Sequence, residues 1–245
     1  MNRIIASAVL GMTMLGGLAA QDRNYQHRRT YHVKWGHLED FASTLKDLQA
    51  LYKTAGVDAP MIVLQSLTGP DRIVVVRYYA KLSDALANRR DAFKGKHEAE
   101  YMALNIRLAN FVDDRETRIA QRDPELSLPR VEKLPMFFRV VTAVVKPGKA
   151  AEYDQMIKEF SNAAVKPSGV KSFSVFHTRM GSLTGEVSTS TGLDSVTELD
   201  DPVIIKTMGR AKYDAWLAKR APLIEKSEVN LYRVRPELTT WTSAK

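Results

Sequence analysis

Residues able to do chemistry are sparse in this chain, and the most pointed group lies on one short stretch. Phe173, Val175, His177 and Arg179 share one parity, and the segment that follows carries Ser188, Thr189, Ser190 and Thr191. On paired strands, a histidine and an arginine beside a row of hydroxyls would make a hydrogen-bonding pocket for a small molecule, provided that this face points into an enclosed space. At an exposed sheet edge the same residue types are ordinary surface. The counterpart of His177, 112 residues earlier, is Gln65, and Arg77 with Tyr79 stands on the adjacent segment. The candidate ligand-binding residues are therefore His177, Arg179, Ser188, Ser190, Arg77 and Tyr79.

Most catalytic motifs are excluded. The chain has no cysteine, no phosphate loop, no Gly-x-Ser-x-Gly elbow and no dinucleotide-binding glycine motif. His97-Glu98-Ala99-Glu100-Tyr101 begins like a zinc-protease helix, but Tyr101 stands where the second histidine ligand belongs. The five histidines are scattered along the chain, so no metal site and no cofactor are read, and no residue is assigned a catalytic role.

The elements that must position these residues occur twice. Glu116 to Ser127 and Glu228 to Thr239 align without a gap at the spacing of 112 residues set by Pro124 and Pro236. Val33-Lys34-Trp35-Gly36 matches Val145-Lys146-Pro147-Gly148 at the same spacing, as do Asp40-Phe41 with Glu152-Tyr153 and Gly69 with Gly181. Within the first copy, a short alternating segment up to Lys34 gives way to Leu38, Phe41, Leu45, Leu48 and Tyr52, the three-four spacing of a helical face. Met61 to Leu67 and Ile73 to Tyr79, joined by Gly69-Pro70-Asp71, read as a hairpin. A second helix broken near Gly95 and a closing strand from Glu116 complete β-α-β-β-α-β. The second copy follows the same order, with Gly209 echoing Gly95 and a capping box at Ser195-Val-Thr-Glu198.

The ends and the balance of charge bound the setting. Arg3, an apolar run from Ile4 to Leu18 and Ala19-Ala20 form the pattern of a secretory signal peptide. The expected division is a signal peptide over 1–20, a first repeat over 21–127, a proline-punctuated linker over 128–135 and a second repeat over 136–245. A secreted or periplasmic protein is expected, with no stable membrane anchor after cleavage and no disulfides. The formal charge of +8 is spread among nearly as many acids as bases, 36 Lys and Arg against 28 Asp and Glu. That pattern describes a solvated surface and not a nucleic-acid site.

Repeats of β-α-β-β-α-β order are ferredoxin-like, with both helices on one face of a four-stranded antiparallel sheet. Val63, Val74, Val76, Phe138 and Val140 make both faces of their strands apolar, so the face without helices needs a cover, which the other repeat supplies. The fold class expected is α+β: two such repeats packed sheet to sheet as an internal pseudo-dimeric α/β barrel. On this element order, the broken second helix and the duplication over about residues 28 to 239, the chain resembles the dimeric α/β-barrel superfamily in its single-chain form. That resemblance implies a cavity between the sheets. It also implies a range of activities, including cofactor-independent monooxygenases and haem-handling proteins. The functional expectation is an exported protein that binds a small molecule between the sheets or is purely structural. The alternative is a monooxygenase acting on an aromatic substrate, or a haem-handling protein.

Overall fold

Strand alternation organises the whole molecule. In the computed structural model, which describes residues 23–57 and 60–241, the strands are β1 (Tyr25–Val33), β2 (Met61–Ser66), β3 (Arg72–Tyr79), β4 (Val112–Asp123), β5 (Phe137–Val145), β6 (Phe173–Met180), β7 (Glu186–Leu193) and β8 (Ile224–Val234). They form one closed barrel in the order β1-β3-β2-β8-β5-β7-β6-β4, every pair antiparallel. The two halves of the chain therefore meet edge to edge, through β2 with β8 and β4 with β6, and not only face to face. Closure leaves no free strand edge. Residues 1–20, read as a signal peptide, lie outside the described residues, and no described helix is long and apolar enough to cross a membrane.

Even-numbered strand residues line the barrel interior, and odd-numbered ones face outward under helices. Parity is common to both halves because the repeat spacing is even. In the first half, α1 (Leu38–Thr54) turns Phe41, Leu45, Leu48 and Tyr52 onto Val63, Ile73 and Val75. Glu39 and Asp40 in its first turn complement the helix dipole. In the second half, α4 (Ala150–Phe160) packs Tyr153, Ile157 and Phe160 onto Ala143, Val175 and Val187. The broken second helix appears in both halves. In the first it is α2 (Leu82–Leu86), a 3₁₀ turn (Arg89–Phe93) and α3 (Glu98–Asn110); in the second, α5 (Val203–Met208) and α6 (Arg210–Arg220). Gly95 and Gly209, at the breaks, have φ of 88° and 84°, a conformation that other residues adopt only with strain.

The segment read as a linker, together with the two residues before it, does more than connect. Ser127 accepts the Val175 backbone N–H at 2.9 Å, the Leu128 N–H donates to the Phe173 carbonyl at 2.9 Å, and Leu126 is buried in the second core. Beyond these, Pro129, Arg130, Val131 and Leu134 reach the barrel lumen, joined by Trp241 from the chain's other end. One mouth of the barrel is thus plugged by non-strand chain. Gly192 on β7 permits this, since a Cβ there would stand 2.3 Å from the Pro135 ring.

Candidate functional site

The barrel encloses a cavity of ≈170 Å³, roughly ten times what one buried water requires. One wall is apolar, built by Ile62, Leu64, Val74, Val76, Phe138 and Val140. The opposite wall carries hydroxyls, from Thr142, Ser174, Ser188 and Ser190. Thr142 and Ser188, partners across β5 and β7, lie 3.2 Å apart.

Between these walls the interior is charged. Glu186, only 4% exposed, meets Arg28 at 3.4 Å and Arg118 at 3.4 Å. It also accepts from Thr178 at 2.9 Å and from the Ser182 hydroxyl. Arg72 donates to Asn230 at 3.0 Å and meets Glu228 at 3.4 Å. The Asn230 amide, 2.8 Å from Glu228, holds that carboxyl below the usual range, and the Arg72 charge adds to it. Burial raises the neighbouring Tyr232 phenol. A buried carboxylate with this many partners is a structural knot, because removing any one member strands the others in low dielectric.

At the plugged mouth the balance changes. Arg122 and Arg130 donate to the backbone carbonyls of Leu128 and Arg23, and the Arg130 guanidinium lies over the Tyr78 ring at 4.4 Å. Tyr78 accepts from Gln26 at 3.1 Å and meets the Trp241 ring at 5.3 Å. Along the whole lumen, Arg28, Arg72, Arg118, Arg122 and Arg130 face only Glu116, Glu186 and Glu228, a surplus of two positive charges among the described residues. The buried polar atoms of this lining that lack a partner are Nε of Arg72, Arg118, Arg122 and Arg130 and Nε1 of Trp241. All are donors.

A second space lies outside the barrel in the second half. It is a cleft of ≈450 Å³ between the outward residues of β5, β7 and β8 and helices α4 to α6. Trp216 stacks on Phe160 there at 4.4 Å, and Val229 on its floor is 52% exposed.

The six residues singled out in the sequence are dispersed by parity. Ser188 and Ser190 line the barrel interior. His177, Arg179, Arg77 and Tyr79, at odd positions, do not join them. His177 shares its face with Phe173 and Val175, which the helices of the second half cover; its Nε2 lies 3.6 Å from Asp123 and 3.8 Å from Asp154. Burial and the Asp123 charge raise the Asp154 carboxyl against the opposing pull of His177. Arg179 is exposed and donates twice to Gln121, at 3.0 and 2.7 Å. Arg77 and Tyr79 lie beneath the helices of the first half. The lumen residues that sequence reading missed are Arg28, Arg72, Arg118, Arg122, Arg130, Glu186 and Trp241. Elsewhere, the fold brings His32, Asp114 and Glu116 within 4.8 Å of one another at a strand end, where Glu116 is paired with Arg118 at 3.1 Å.

Haem iron takes an axial His, Cys, Met or Tyr. Among the described residues, His32 at the lumen's end is turned to Glu116 at 3.6 Å, and no His, Cys or Met stands on the walls of the central lumen or the cleft. Of their tyrosines, Tyr78 and Tyr153 accept hydrogen bonds from Gln26 and Arg220, Tyr232 is pushed away from its phenolate form, and Tyr213 is packed among Phe160 and Trp216. These residues do not fit haem.

No protein-family model and no curated protein sequence matches the chain. Solved structures do. A "putative monooxygenase" from Lactobacillus acidophilus NCFM superposes with a TM-score of 0.61 at 8% identity, covering 90% of this chain and 97% of that one. An anthrone oxidase-like protein gives 0.60 at 11% identity, over 93% and 97%. A chlorite dismutase variant from Candidatus Nitrospira defluvii, in complex with cyanide, gives 0.55 at 10% identity, over 87% and 91%. At such identities what is shared is architecture: the chain has the fold of the dimeric α/β barrels, with all eight strands supplied by one polypeptide.

Proposed function

We propose that the protein is a binding protein for a small organic anion with an apolar body, held in the barrel lumen. The observation that carries this reading is the surplus of arginines over carboxylates in the lumen, Arg28, Arg72, Arg118, Arg122 and Arg130 against Glu116, Glu186 and Glu228, beside a wall of aliphatic side chains. The surplus positive charge selects an anion, whose oxygens accept from guanidinium donors. The aliphatic wall takes the apolar remainder of the ligand. Each half of the chain is read as a ferredoxin-like unit and the barrel as an internal pseudo-dimer. Export, on the signal-peptide pattern of residues 1–20, is part of the same proposal.

The rival reading is oxygenation of an aromatic substrate; one structural neighbour is called a putative monooxygenase and another anthrone oxidase-like. That reaction needs a base to draw a proton from the substrate. Among the described residues, His32 at the end of the lumen is turned to Glu116 at 3.6 Å, and the carboxylates Glu116, Glu186 and Glu228 are each engaged by arginine, so binding without chemistry is favoured. A fluorescence titration with 1-anilinonaphthalene-8-sulfonate, a ring system carrying one anionic group, tests the site. Arg130→Gln should weaken binding about tenfold, the loss of one charge-assisted hydrogen bond, and Trp216→Ala in the cleft should leave it unchanged. The reverse pattern would move the site to the cleft. Oxygen uptake with phenolic substrates would restore the rival reading.

A further inference from the structure

The outer face of the first half holds a second basic cluster, separate from the lumen. Arg29 on β1, Arg77 on β3 and Arg89 on the 3₁₀ turn gather beneath the helices around His27, and each is electrostatically coupled to the others. Arg77 is 4% exposed and His27 6%. No carboxylate of the described residues pairs with these arginines. The Arg77 guanidinium donates to the Met61 thioether at 3.7 Å and lies over the Tyr52 ring at 5.5 Å, while Arg89 lies over Tyr79 at 5.3 Å. Arg29 Nε, Arg77 Nε, His27 Nδ1 and the Tyr79 hydroxyl are buried without a hydrogen-bond partner.

Three clustered cations without a carboxylate counter-ion, Arg77 buried and Arg29 and Arg89 half-buried, are costly, and aromatic faces offset only a small part of that cost. The second half shows that the fold does not require them. At the repeat spacing, His27, Arg29, Arg77, Tyr79 and Arg89 correspond to Arg139, Val141, Thr189, Thr191 and Asp201, all of which line the open cleft. The same place in the two halves has thus become an open cleft in one, where Arg139 and Arg220 are matched by Glu198 and Asp201, and a cluster of guanidiniums without carboxylates in the other.

We propose that the Arg29, Arg77 and Arg89 cluster of the first half is a binding site for a phosphate- or sulfate-type oxyanion, free or as the head of an ester. Three guanidiniums arriving from three separate elements suit a tetrahedral anion, whose oxygens point in several directions, better than a planar carboxylate, which a single fork satisfies. The Tyr79 hydroxyl is a further donor at the site. Empty of an anion, the cluster keeps His27 neutral: burial, then Arg29, Arg89 and Arg77, pushes its pKa down to about 3. Acting on His27 are Arg29 from its own strand, Arg77 from β3 and Arg89 from the turn, while Tyr52 from α1 and Tyr101 from α3 act on the arginines. An oxyanion here cancels the arginines' repulsion and moves the imidazole upward.

The test uses the full chain, with inorganic phosphate and phenyl phosphate as probes, read by calorimetry and by NMR titration of the His27 imidazole. Both probes should bind saturably and raise the His27 pKa. Arg89→Gln and, separately, Arg29→Gln, both at partly exposed positions, should weaken binding about tenfold or more. Arg210→Gln, on the exposed surface of α6, should have no effect. Tighter binding of phenyl phosphate identifies an ester head as the better ligand, and equal binding a free ion. The proposal is overturned if neither probe binds, if binding survives both substitutions, or if the His27 titration is unmoved at saturation.

Discussion

His27 makes the stability of this fold sensitive to acid in a way that a single substitution can isolate. Its pKa of about 3 in the fold lies well below the 6.5 of an unfolded histidine, because burial opposes the charged imidazole and Arg29, Arg89 and Arg77 repel it. The unfolded chain therefore takes up this proton near pH 6.5 and the folded chain only near pH 3. The stabilisation is complete above pH 6.5 and falls as pH drops toward 3. At 1.36 kcal/mol per pH unit, the drop from neutral pH to pH 5 costs about 2 kcal/mol from this one residue. In melting temperature that is about 4–8 °C for a chain of this size. The assay is urea unfolding at pH 7 and pH 5 in buffers free of phosphate and sulfate, for the native chain and His27→Gln. Carboxylates contribute to both proteins equally, so the native chain should lose about 2 kcal/mol more than the variant between the two pH values. Equal losses would show that His27 is not held neutral by its neighbours, and the electrostatic account of the outer cluster would fail with it.

Other consequences follow from the packing. Glu186→Gln leaves Arg28 and Arg118 without their buried carboxylate and should cost about 3–5 kcal/mol in chemical unfolding. Gly181→Ala, at φ 82° with a Cβ that would stand 2.0 Å from the Thr117 carbonyl oxygen, should cost more than the roughly 1–3 kcal/mol of a strained backbone alone, read as a lower urea midpoint. Residues 21–127 expressed alone expose the β2 and β4 edges that pair with β8 and β6, and should aggregate or self-associate through them, read as a larger species by size-exclusion chromatography.

How much of this was legible in the residues depends on the range of the interaction. The element order was readable because helix and strand periods are local, and the spacing of 112 let each half corroborate the other. The broken second helix was readable from Gly95 and Gly209 for the same reason. The barrel was readable because Val74, Val76, Phe138 and Val140 could not face water. Those same four residues are even-numbered, and this was the unused clue: parity puts Arg28, Arg72 and Arg118 inside with them. Parity equally puts His177 and Arg77 outside, with Val175 and Val75. The reading of His177 used the alternation of its own strand but was conditional on that face pointing inward, and the helices of the second half cover that face instead. Arg122 and Arg130 owe their place to the plug formed by Pro129 to Leu134, and Trp241 to a tail laid along β2. No local pattern foretells such long-range contacts.

The central claim, an organic anion in the lumen, is tested most directly at Trp241. The chain has three tryptophans: Trp35 is exposed, Trp216 lies in the cleft and Trp241 lines the lumen. Replacing Trp35 and Trp216 with Phe leaves Trp241 as the sole emitter, and replacing Trp35 and Trp241 leaves Trp216. Both variants are titrated with octanoate, which does not absorb at the exciting wavelength, and with octanol, its uncharged counterpart. The account predicts a saturable change in emission from the Trp241-only protein with octanoate, a much weaker one with octanol, and none from the Trp216-only protein. A response confined to Trp216, or one from Trp241 that octanol reproduces in full, would contradict it.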